Sequence, residues 1–424
     1  MIKEPQIPQF DLILCLSNTI DLVSSIMVNH HQRVAYIALS IAEELGLSSE
    51  EINELVLAGI LHDAGALSLQ QRMDALSFEI EKPHQHAETG YRLLESFTPL
   101  SKEALLIKYH HVPWEEGGGE EFHGEKVPLG SHILHLSDRI DVLIDREEDI
   151  LGQVKGIYNR IEEQSVKMFM PELVDAFKSL SRKEYFWLDT VSHGITSVLR
   201  RNGRLKMVEV SGKALLDLAN LFSQIIDFRS HFTASHSSGV SAVSEELARL
   251  AGFSPGECRM MKIAGLLHDL GKLAIPTEIL EKAGKLTPDE FNVIRSHTFY
   301  TYRSLESIRN LELINSWASF HHERLDGQGY PFHISGDDLS LGARIIAVAD
   351  IFNALTEKRP YRDGSGFNET IGILERMAQS KAIDPYIVSI LKSNYDEISS
   401  IRAATENTAL QKYEKFRVDT DEIV

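Results

Sequence analysis

The sequence predicts an all-α protein built from two tandem helical units. Three observations indicate this fold class: an internal repeat, apolar residues at helical spacing, and helix-capping residues between the apolar runs. Runs that alternate apolar and polar residues, as half-buried strands do, are scarce in the chain. We therefore expect helical bundles rather than sheets.

The internal repeat is clearest around two His-Asp pairs. "AGILHDAGAL" matches "AGLLHDLGKL", so that His62 and His268 lie 206 positions apart, and the same offset aligns His30 with His236. Short insertions shift the register further along, but matching residues continue to occur in the same order. This many ordered matches indicates a duplication with units of about 200 residues.

The duplication predicts two domains, one over residues 1–200 and one over residues 201–424. The segment between them, roughly residues 193–212, holds three glycines and a basic cluster. An Asn-Gly pair at 202–203 is typical of a tight turn, so we expect at most a small β-hairpin in this linker.

Helix periodicity and capping residues support the helical prediction in both units. Ser254 and Glu257 form a predicted capping box, and Ser48 and Glu51 repeat it in the first unit. Apolar residues fall three and four positions apart, on one helix face, in the run before Ser254: Val240, Val243, Leu247 and Leu250.

Composition excludes several classes of function. The net charge of -19 argues against sequence-independent binding of bulk nucleic acid or of an anionic membrane surface. No segment reaches the roughly 20 apolar residues of a membrane span. The two cysteines, Cys15 and Cys258, are expected to be buried and reduced. These features predict a cytoplasmic protein.

Seven potential metal ligands occur in the second unit. They are five imidazoles and two carboxylates: His236, His268, Asp269, His297, His321, His322 and Asp350. Imidazole with carboxylate and no thiolate suits transition metals such as Fe, Mn, Ni or Zn. Seven ligands exceed the needs of one ion, and a carboxylate such as Asp269 can bridge two ions. Two adjacent metals are the usual arrangement for phosphoester hydrolysis.

The motifs "LLHDLGK", "FHHERLDGQGYP" and "ADIFNALTEKRPYR" resemble those of the HD-GYP subfamily of HD-domain metal-dependent phosphohydrolases. The resemblance covers most of residues 215–400 and implies an HD-type helical bundle. It also implies hydrolysis of a 3′,5′-cyclic dinucleotide, either cyclic di-GMP or 3′,3′-cyclic GMP-AMP, to a linear product. The motifs that we read contact phosphate and ribose, so both substrates stay open.

The resemblance also assigns roles to individual residues. His236, His268, Asp269 and Asp350 would hold one metal, and Asp269 would bridge to a second metal on His297, His321 and His322. Lys272 would be catalytic together with Asp269, by contacting the scissile phosphate. Four residues would bind the rest of the substrate: Gly329, Tyr330, Arg359 and Arg362.

Two departures from the family pattern refine the metal prediction. Some members carry a glutamate that holds a third metal, and Phe232 occupies that position here. We therefore expect two divalent transition-metal ions, Fe, Mn or similar. The aspartate that is common six residues before the first ligand is replaced by Ser230, which concerns the entry helix and not the ligands.

The first unit keeps the matching ligands but loses other residues. Ala66 replaces the lysine, and Glu147 replaces the first arginine. Glu120 and Glu121 lie where the GYP loop, the Gly-Tyr-Pro segment at residues 329–331 of the second unit, would be. The retained set predicts a possible second metal site: His30, His62, Asp63, His86, His110, His111 and Asp138. The unit is thus altered as a cyclic-dinucleotide pocket and complete as a metal site.

Three interpretations of the first unit stay open. It is a structural relic, a metal-bound regulatory or dimerising unit, or a phosphohydrolase that removes the 5′-phosphate from the linear product. For the whole protein, the alternative to a phosphodiesterase is a signalling adaptor with little turnover. Such an adaptor would recruit a signalling protein partner through the GYP loop. A hydrolase of mononucleotides is a third possibility, which the GYP loop disfavours.

Overall fold

The computed structural model describes residues 5–22, 27–80, 82–201, 208–230, 233–282, 284–357 and 364–421. Helices dominate these ranges, and the strands within them are two residues long each, which confirms the all-α prediction. The chain divides into two compact units. We call them the N-terminal unit (residues 24–208, with 419–424) and the C-terminal unit (residues 1–23 and 209–418).

The first helix of the chain belongs to the C-terminal unit. Strand β1 (Ile7–Pro8) pairs antiparallel with a strand at Glu209–Val210, β4, and helix α1 (Gln9–Asp21) follows β1. Most residues of α1 are buried. The predicted division into 1–200 and 201–424 did not anticipate this placement. A repeat identifies equivalent helices, but it does not specify which unit buries them.

The N-terminal unit contains ten α-helices, short 3-10 turns and one hairpin within its described residues. The helices are α2 (His30–Glu44), α3 (Ser49–Leu61), α4 (Leu69–Ala75), α5 (Pro83–Glu95), α6 (Ser101–Lys108), α7 (Leu129–Val142), α8 (Ile150–Glu162), α9 (Pro171–Ser181), α10 (Glu184–Thr190) and α11 (Ile195–Arg201). Strands β2 (Glu121–Phe122) and β3 (Glu125–Lys126) form the hairpin. Helix α2 packs against α3, α7 and α9, so its first residue, His30, is fully buried.

The described part of the C-terminal unit repeats this arrangement. Its remaining helices are α12 (Gly212–Asp227), α13 (His236–Leu250), α14 (Pro255–Leu267), α15 (Thr277–Leu280), α16 (Pro288–Arg295), α17 (His297–Glu306), α18 (Glu312–Ser319), α19 (Leu341–Thr356), α20 (Phe367–Gln379), α21 (Pro385–Ser393) and α22 (Tyr395–Asp421). Helix α13 packs against α14 and α19 through apolar side chains, among them Val240, Val243 and Leu247.

Several local predictions can be compared with the structure. The capping boxes at Ser48 and at Ser254 are both formed, which confirms the two helix starts. Cys15 and Cys258 are buried free thiols. The predicted turn at 202–203 lies outside the described residues. Within the part of the chain that the structure describes, we find no helix long and apolar enough to cross a bilayer.

Candidate metal centres

The structure brings the seven predicted ligands of the C-terminal unit together. His236 and His297 are the first residues of α13 and α17, His268 and Asp269 directly follow α14, and Asp350 lies in α19. His321 and His322 follow the end of α18. Because each ligand stands on or beside a packed helix, the surrounding core orients the site.

The ligands form two groups on either side of Asp269. One group is His236, His268 and Asp350, and the other is His297, His321 and His322. Asp269 Oδ2 lies 3.2 Å from His268 Nε2, and Asp269 Oδ1 lies 3.3 Å from His297 Nε2. The two oxygens of one carboxylate thus face different groups, as a bridging ligand requires.

Backbone carbonyls prepare three of the histidines for metal binding. The Nδ1 atoms of His268, His297 and His321 lie 2.7, 2.7 and 2.6 Å from carbonyl oxygens three residues earlier. A carbonyl only accepts, so each Nδ1 must carry the proton and each Nε2 keeps a free lone pair. His268 Nε2 is buried and has no hydrogen-bond partner, which fits a ligand for a cation.

His236 is supported differently, by Asn353 of α19. The Asn353 amide lies 3.2 Å from His236 Nδ1, and Glu357 Oε2 lies farther away, at 3.9 Å. As placed, Asn353 Nδ2 faces His236, while Asn353 Oδ1 and Glu406 Oε1 are buried without hydrogen-bond partners. Both of these oxygens lie within 3 Å of the point where a Cβ on Gly239 would stand.

Rotating the Asn353 amide by half a turn lets Oδ1 accept from His236 Nδ1 and turns Nδ2 to the side that Oδ1 now occupies. We infer that Nδ2 then donates to Glu406, because Glu406 Oε1 also lies close to the Gly239 Cβ position. The other carboxylate oxygen of Glu406 accepts from Arg402 at 2.5 Å. Through this inferred hydrogen bond, helix α22 would support the predicted ligand His236, an arrangement that sequence reasoning missed.

Lys272 lies at the bridging carboxylate. Its Nζ is 2.5 Å from Asp269 Oδ2, so the structure places this predicted phosphate contact directly beside both ligand groups. The Arg229 guanidinium donates to the carbonyls of Lys272 and Ile275 at 2.7 and 2.9 Å. Arg229, which sequence reasoning also missed, thereby holds the backbone that carries the lysine.

The GYP loop is anchored by a buried acid next to the ligands. Glu323 accepts from the backbone N–H groups of Phe332 and Ile334, at 2.6 and 3.1 Å. A Cβ on Gly329 would lie 2.6 Å from the carbonyl of His322, so only glycine fits there. The Tyr330 ring lies 4.9 Å from the ring of His322. The acid directly after "HH" was a readable signal that we overlooked.

Three residues of the sequence prediction lie outside the described residues. They are Phe232, Arg359 and Arg362. Their assigned roles therefore stay predictions.

The N-terminal unit also brings its seven ligands together. Asp63 belongs to both of its ligand groups, one with His30 and His62 and the other with three further histidines, His86, His110 and His111. Asp63 Oδ2 is 3.4 Å from His62 Nε2, and Asp63 Oδ1 is 3.4 Å from His86 Nε2. The Nε2 atoms of His30, His62 and His110 are buried without hydrogen-bond partners. This geometry repeats that of the C-terminal unit.

The supporting groups of the N-terminal site differ. His30 Nδ1 donates to Asp141 at 2.7 Å, and Arg33 donates to both oxygens of Asp141. Burial alone would raise the pKa of Asp141, but Arg33 and His30 hold it below its ordinary value. Asp138 Oδ1 lies 3.6 Å from His30 Nε2, while its other oxygen pairs with the buried Arg139.

The surroundings of the N-terminal site are polar and accessible. A cavity of about 510 Å³ reaches the ligand His86 and is lined by polar side chains, including Gln71, Ser77 and Gln85. Glu120 and Glu121 are exposed, in and beside the hairpin that replaces the GYP loop. Arg72 donates to the carbonyl of Ala66 at 2.8 Å and so anchors the position where the lysine is lost.

Comparisons with known proteins agree with this duplication. A family model described as an HD domain matches residues 220–387, and another of the same description matches residues 27–143. The chain is 30% identical to the 3′3′-cGAMP-specific phosphodiesterase 1 of Vibrio cholerae, over 92% of this chain and 94% of that protein. It is 26% identical to the 3′3′-cGAMP-specific phosphodiesterase 3 of the same organism, over 91% and 94%.

A crystal structure of a cyclic GMP-AMP specific phosphodiesterase of Vibrio cholerae shares the fold. Its TM-score is 0.64 at 24% identity, and the match covers 92% of this chain and 98% of that one. The cyclic di-GMP phosphodiesterase response regulator of Xanthomonas campestris is 35% identical over 46% of this chain and 52% of that protein. From the motifs, the paired clusters of candidate metal ligands and these matches, the chain belongs to the HD-GYP subfamily of HD-domain metal-dependent phosphohydrolases.

Proposed function

We propose that the C-terminal unit hydrolyses a 3′,5′-phosphodiester bond of a 3′,3′-cyclic dinucleotide to give a linear product. The observation that carries this proposal is the position of Asp269, whose two oxygens face two separate histidine groups with Lys272 beside them. Relatives that span nearly the whole chain are named for 3′3′-cGAMP, so cyclic GMP-AMP is the favoured substrate and cyclic di-GMP the second candidate.

The residues of the site fit two divalent transition-metal ions, such as Fe or Mn. His236, His268, Asp269 and Asp350 would hold one, and Asp269 with the remaining three histidines would hold the other. When bound, such ions lower the pKa of a water ligand and neutralise charge on the phosphoryl oxygens. Lys272 would bind the scissile phosphate, because its ammonium already lies against the shared carboxylate.

The loop residues and two arginines would bind the rest of the substrate. Gly329 lets the loop lie directly on the backbone of His322, and Tyr330 places its ring beside that ligand. Arg359 and Arg362 are proposed to bind phosphate through their planar guanidinium groups.

The N-terminal unit is proposed to hold metal as well and to remove the 5′-phosphate of the linear product. A phosphomonoester carries its own dianion, so it needs less help from a lysine than a cyclic diester does. The polar cavity beside the buried His86 favours this over a purely structural role, because a relic has no need for a cavity at its ligand cluster. A regulatory metal site is the alternative.

A signalling adaptor with little turnover is the alternative for the whole protein, with its partner bound at the GYP loop. Lys272 and the complete ligand set favour turnover. We also propose a cytoplasmic location, where such nucleotides are made and degraded.

The test is direct hydrolysis by the metal-loaded full chain. Cyclic GMP-AMP and cyclic di-GMP are incubated separately, and the products are separated by chromatography. We expect a linear dinucleotide, formed faster from cyclic GMP-AMP. The variant His268→Ala with Asp269→Ala should form none, because it loses the shared ligand of both ions. Near-normal turnover in that variant, or none in the wild type, would contradict the proposal.

A further inference from the structure

A guanidinium group with no assigned role lies beside the metal centre of the C-terminal unit. Arg295 is the last residue of α16, two positions before the ligand His297. Its guanidinium carbon stands 4.9 Å from the centre of the Tyr330 ring. That ring in turn lies 4.9 Å from the ring of the ligand His322. The three groups therefore form a continuous row from the metal centre to the half-buried Arg295.

The charge of Arg295 has no carboxylate within ion-pair distance among the residues that the structure describes. Two neighbouring cations differ in this respect, because Lys272 pairs with Asp269 at 2.5 Å and Arg303 pairs with Glu306 at 2.6 Å. A partly desolvated guanidinium without a counter-ion is costly, and an anionic ligand would remove that cost. The site thus holds one uncompensated positive group next to an expected phosphate site.

The contact with Tyr330 leaves the Arg295 donors free. Cation–π contact uses the face of the guanidinium, while its N–H groups point outward in the plane of the group. A phosphate can then accept two of these hydrogen bonds at once. A cyclic dinucleotide has a second phosphate besides the scissile one. Among the residues that the structure describes, Arg295 offers this phosphate a cation near the site that is not engaged with the predicted metal ligands.

Comparison with the N-terminal unit supports a phosphate-binding role for Arg295. The repeat places His84 at the position of Arg295, and the His84 ring lies beside Phe122 with ring centres 4.8 Å apart. The permanently charged guanidinium is thus replaced by an imidazole in the unit that also lost the lysine.

We propose that Arg295, stacked on Tyr330, binds the non-scissile phosphate of the cyclic dinucleotide. The proposal rests on the function proposed for this site. It adds a residue that increases the affinity for the cyclic dinucleotide and does not contact the phosphodiester bond that is cleaved.

The test compares Arg295→Ala with Arg303→Ala, a control arginine that lies over another aromatic ring, Phe299, and whose charge is already paired. For Arg295→Ala, we expect the KM for cyclic GMP-AMP and for cyclic di-GMP to rise about 10- to 100-fold with little change in kcat, as loss of a charge-assisted bond to substrate predicts. Arg303→Ala should match the wild type. Arg295→Lys should recover part of the loss.

Bis(p-nitrophenyl) phosphate is a small diester with one phosphate, so its cleavage does not depend on binding of a second phosphate. It therefore distinguishes loss of substrate binding from damage to the site itself. The ratio of its kcat/KM to that of the cyclic substrate should rise at least 10-fold in Arg295→Ala. An equal loss for both substrates would show that Arg295 only supports α17 and His297. A loss confined to one base composition would show a base contact. Either result, or an unchanged KM, would overturn the proposal, whereas an inactive wild type would instead refute the proposed function.

Discussion

Two substitutions, Asn353→Asp and Glu406→Gln, swap the amide and the carboxylate of these residues and test how the predicted ligand His236 is oriented. Asn353→Asp places a carboxylate where the amide now stands, so that its inner oxygen still accepts from His236. Its outer oxygen then faces Glu406. Repulsion between two carboxylates thus replaces the inferred hydrogen bond from the Asn353 amide to Glu406. Adding Glu406→Gln supplies an N–H donor to the new carboxylate, and the glutamine oxygen still accepts from Arg402. The double variant is therefore fully satisfied again.

The expected penalty for the single variant follows from the geometry. Two like charges about 4 Å apart cost about 4 kcal/mol at an effective dielectric constant of about 20. Burial already raises the pKa of Glu406, so protonation of this group limits the cost. A net loss of about 1–3 kcal/mol corresponds to metal affinity lower by about 10- to 100-fold, the usual effect of removing a group that orients a histidine ligand.

The assay is a competition for Mn²⁺ against a fluorescent chelator, with the full chain as the protein. His62→Ala with Asp63→Ala serves as the background, so that only the C-terminal centre binds. We expect weak binding for Asn353→Asp and recovery to within about threefold of the background in the double variant. Glu414→Gln, an exposed change on the same helix, is the matched control. Undiminished binding by Asn353→Asp, or no recovery on adding Glu406→Gln, would refute the assigned amide orientation.

Three further outcomes are expected. Lys272→Ala should keep its metal, measured by elemental analysis, and lose about 10²–10³-fold in turnover, since it removes one preorganised charge; loss of metal would show that the lysine holds the site together. His62→Ala with Asp63→Ala should lower the metal content by about two ions per chain and abolish phosphate release from a linear 5′-phosphorylated dinucleotide, but not cleavage of the cyclic one. Burial raises the pKa of Glu103 from 4.5 to about 7, so the fold loses stability as pH rises from about 4.5 to about 7, and the loss is complete above that. Glu103→Gln should therefore raise the unfolding temperature at pH 8 and have little effect at pH 5, with a gain of up to about 3 kcal/mol; an equal shift at both pH values would contradict this.

The clustering of the candidate ligands was predictable because these residues come in patterns that survive duplication. His62 with Asp63 and His268 with Asp269 each end a helix whose capping box is readable, so the repeat fixes their correspondence. The structure places both pairs at the centre of their sites. Local sequence was sufficient here because each pair follows one continuous helix.

The residues that orient the candidate ligands were not predictable in the same way. Glu406 reaches the site from α22, and no local pattern links it to Asn353 or to His236. The burial of α1 in the C-terminal unit is similar, because its apolar residues show that it must be buried but not where. Such contacts depend on which helices pack together, and periodicity does not contain that information.

Comparison of the two units supports the same orientation for both leading histidines. The repeat places Asp141 at the position of Asn353, and there the atom that receives the His30 Nδ1 proton is a carboxylate oxygen. It also places Arg33 at the position of Gly239. In the N-terminal unit, Arg33 itself donates to Asp141, whereas Gly239 leaves that space to Asn353 and Glu406. The two units thus use different side chains for one requirement, an acceptor at Nδ1 that keeps Nε2 free. A relic would not need a rebuilt acceptor, so this exchange favours metal binding by the N-terminal unit as well.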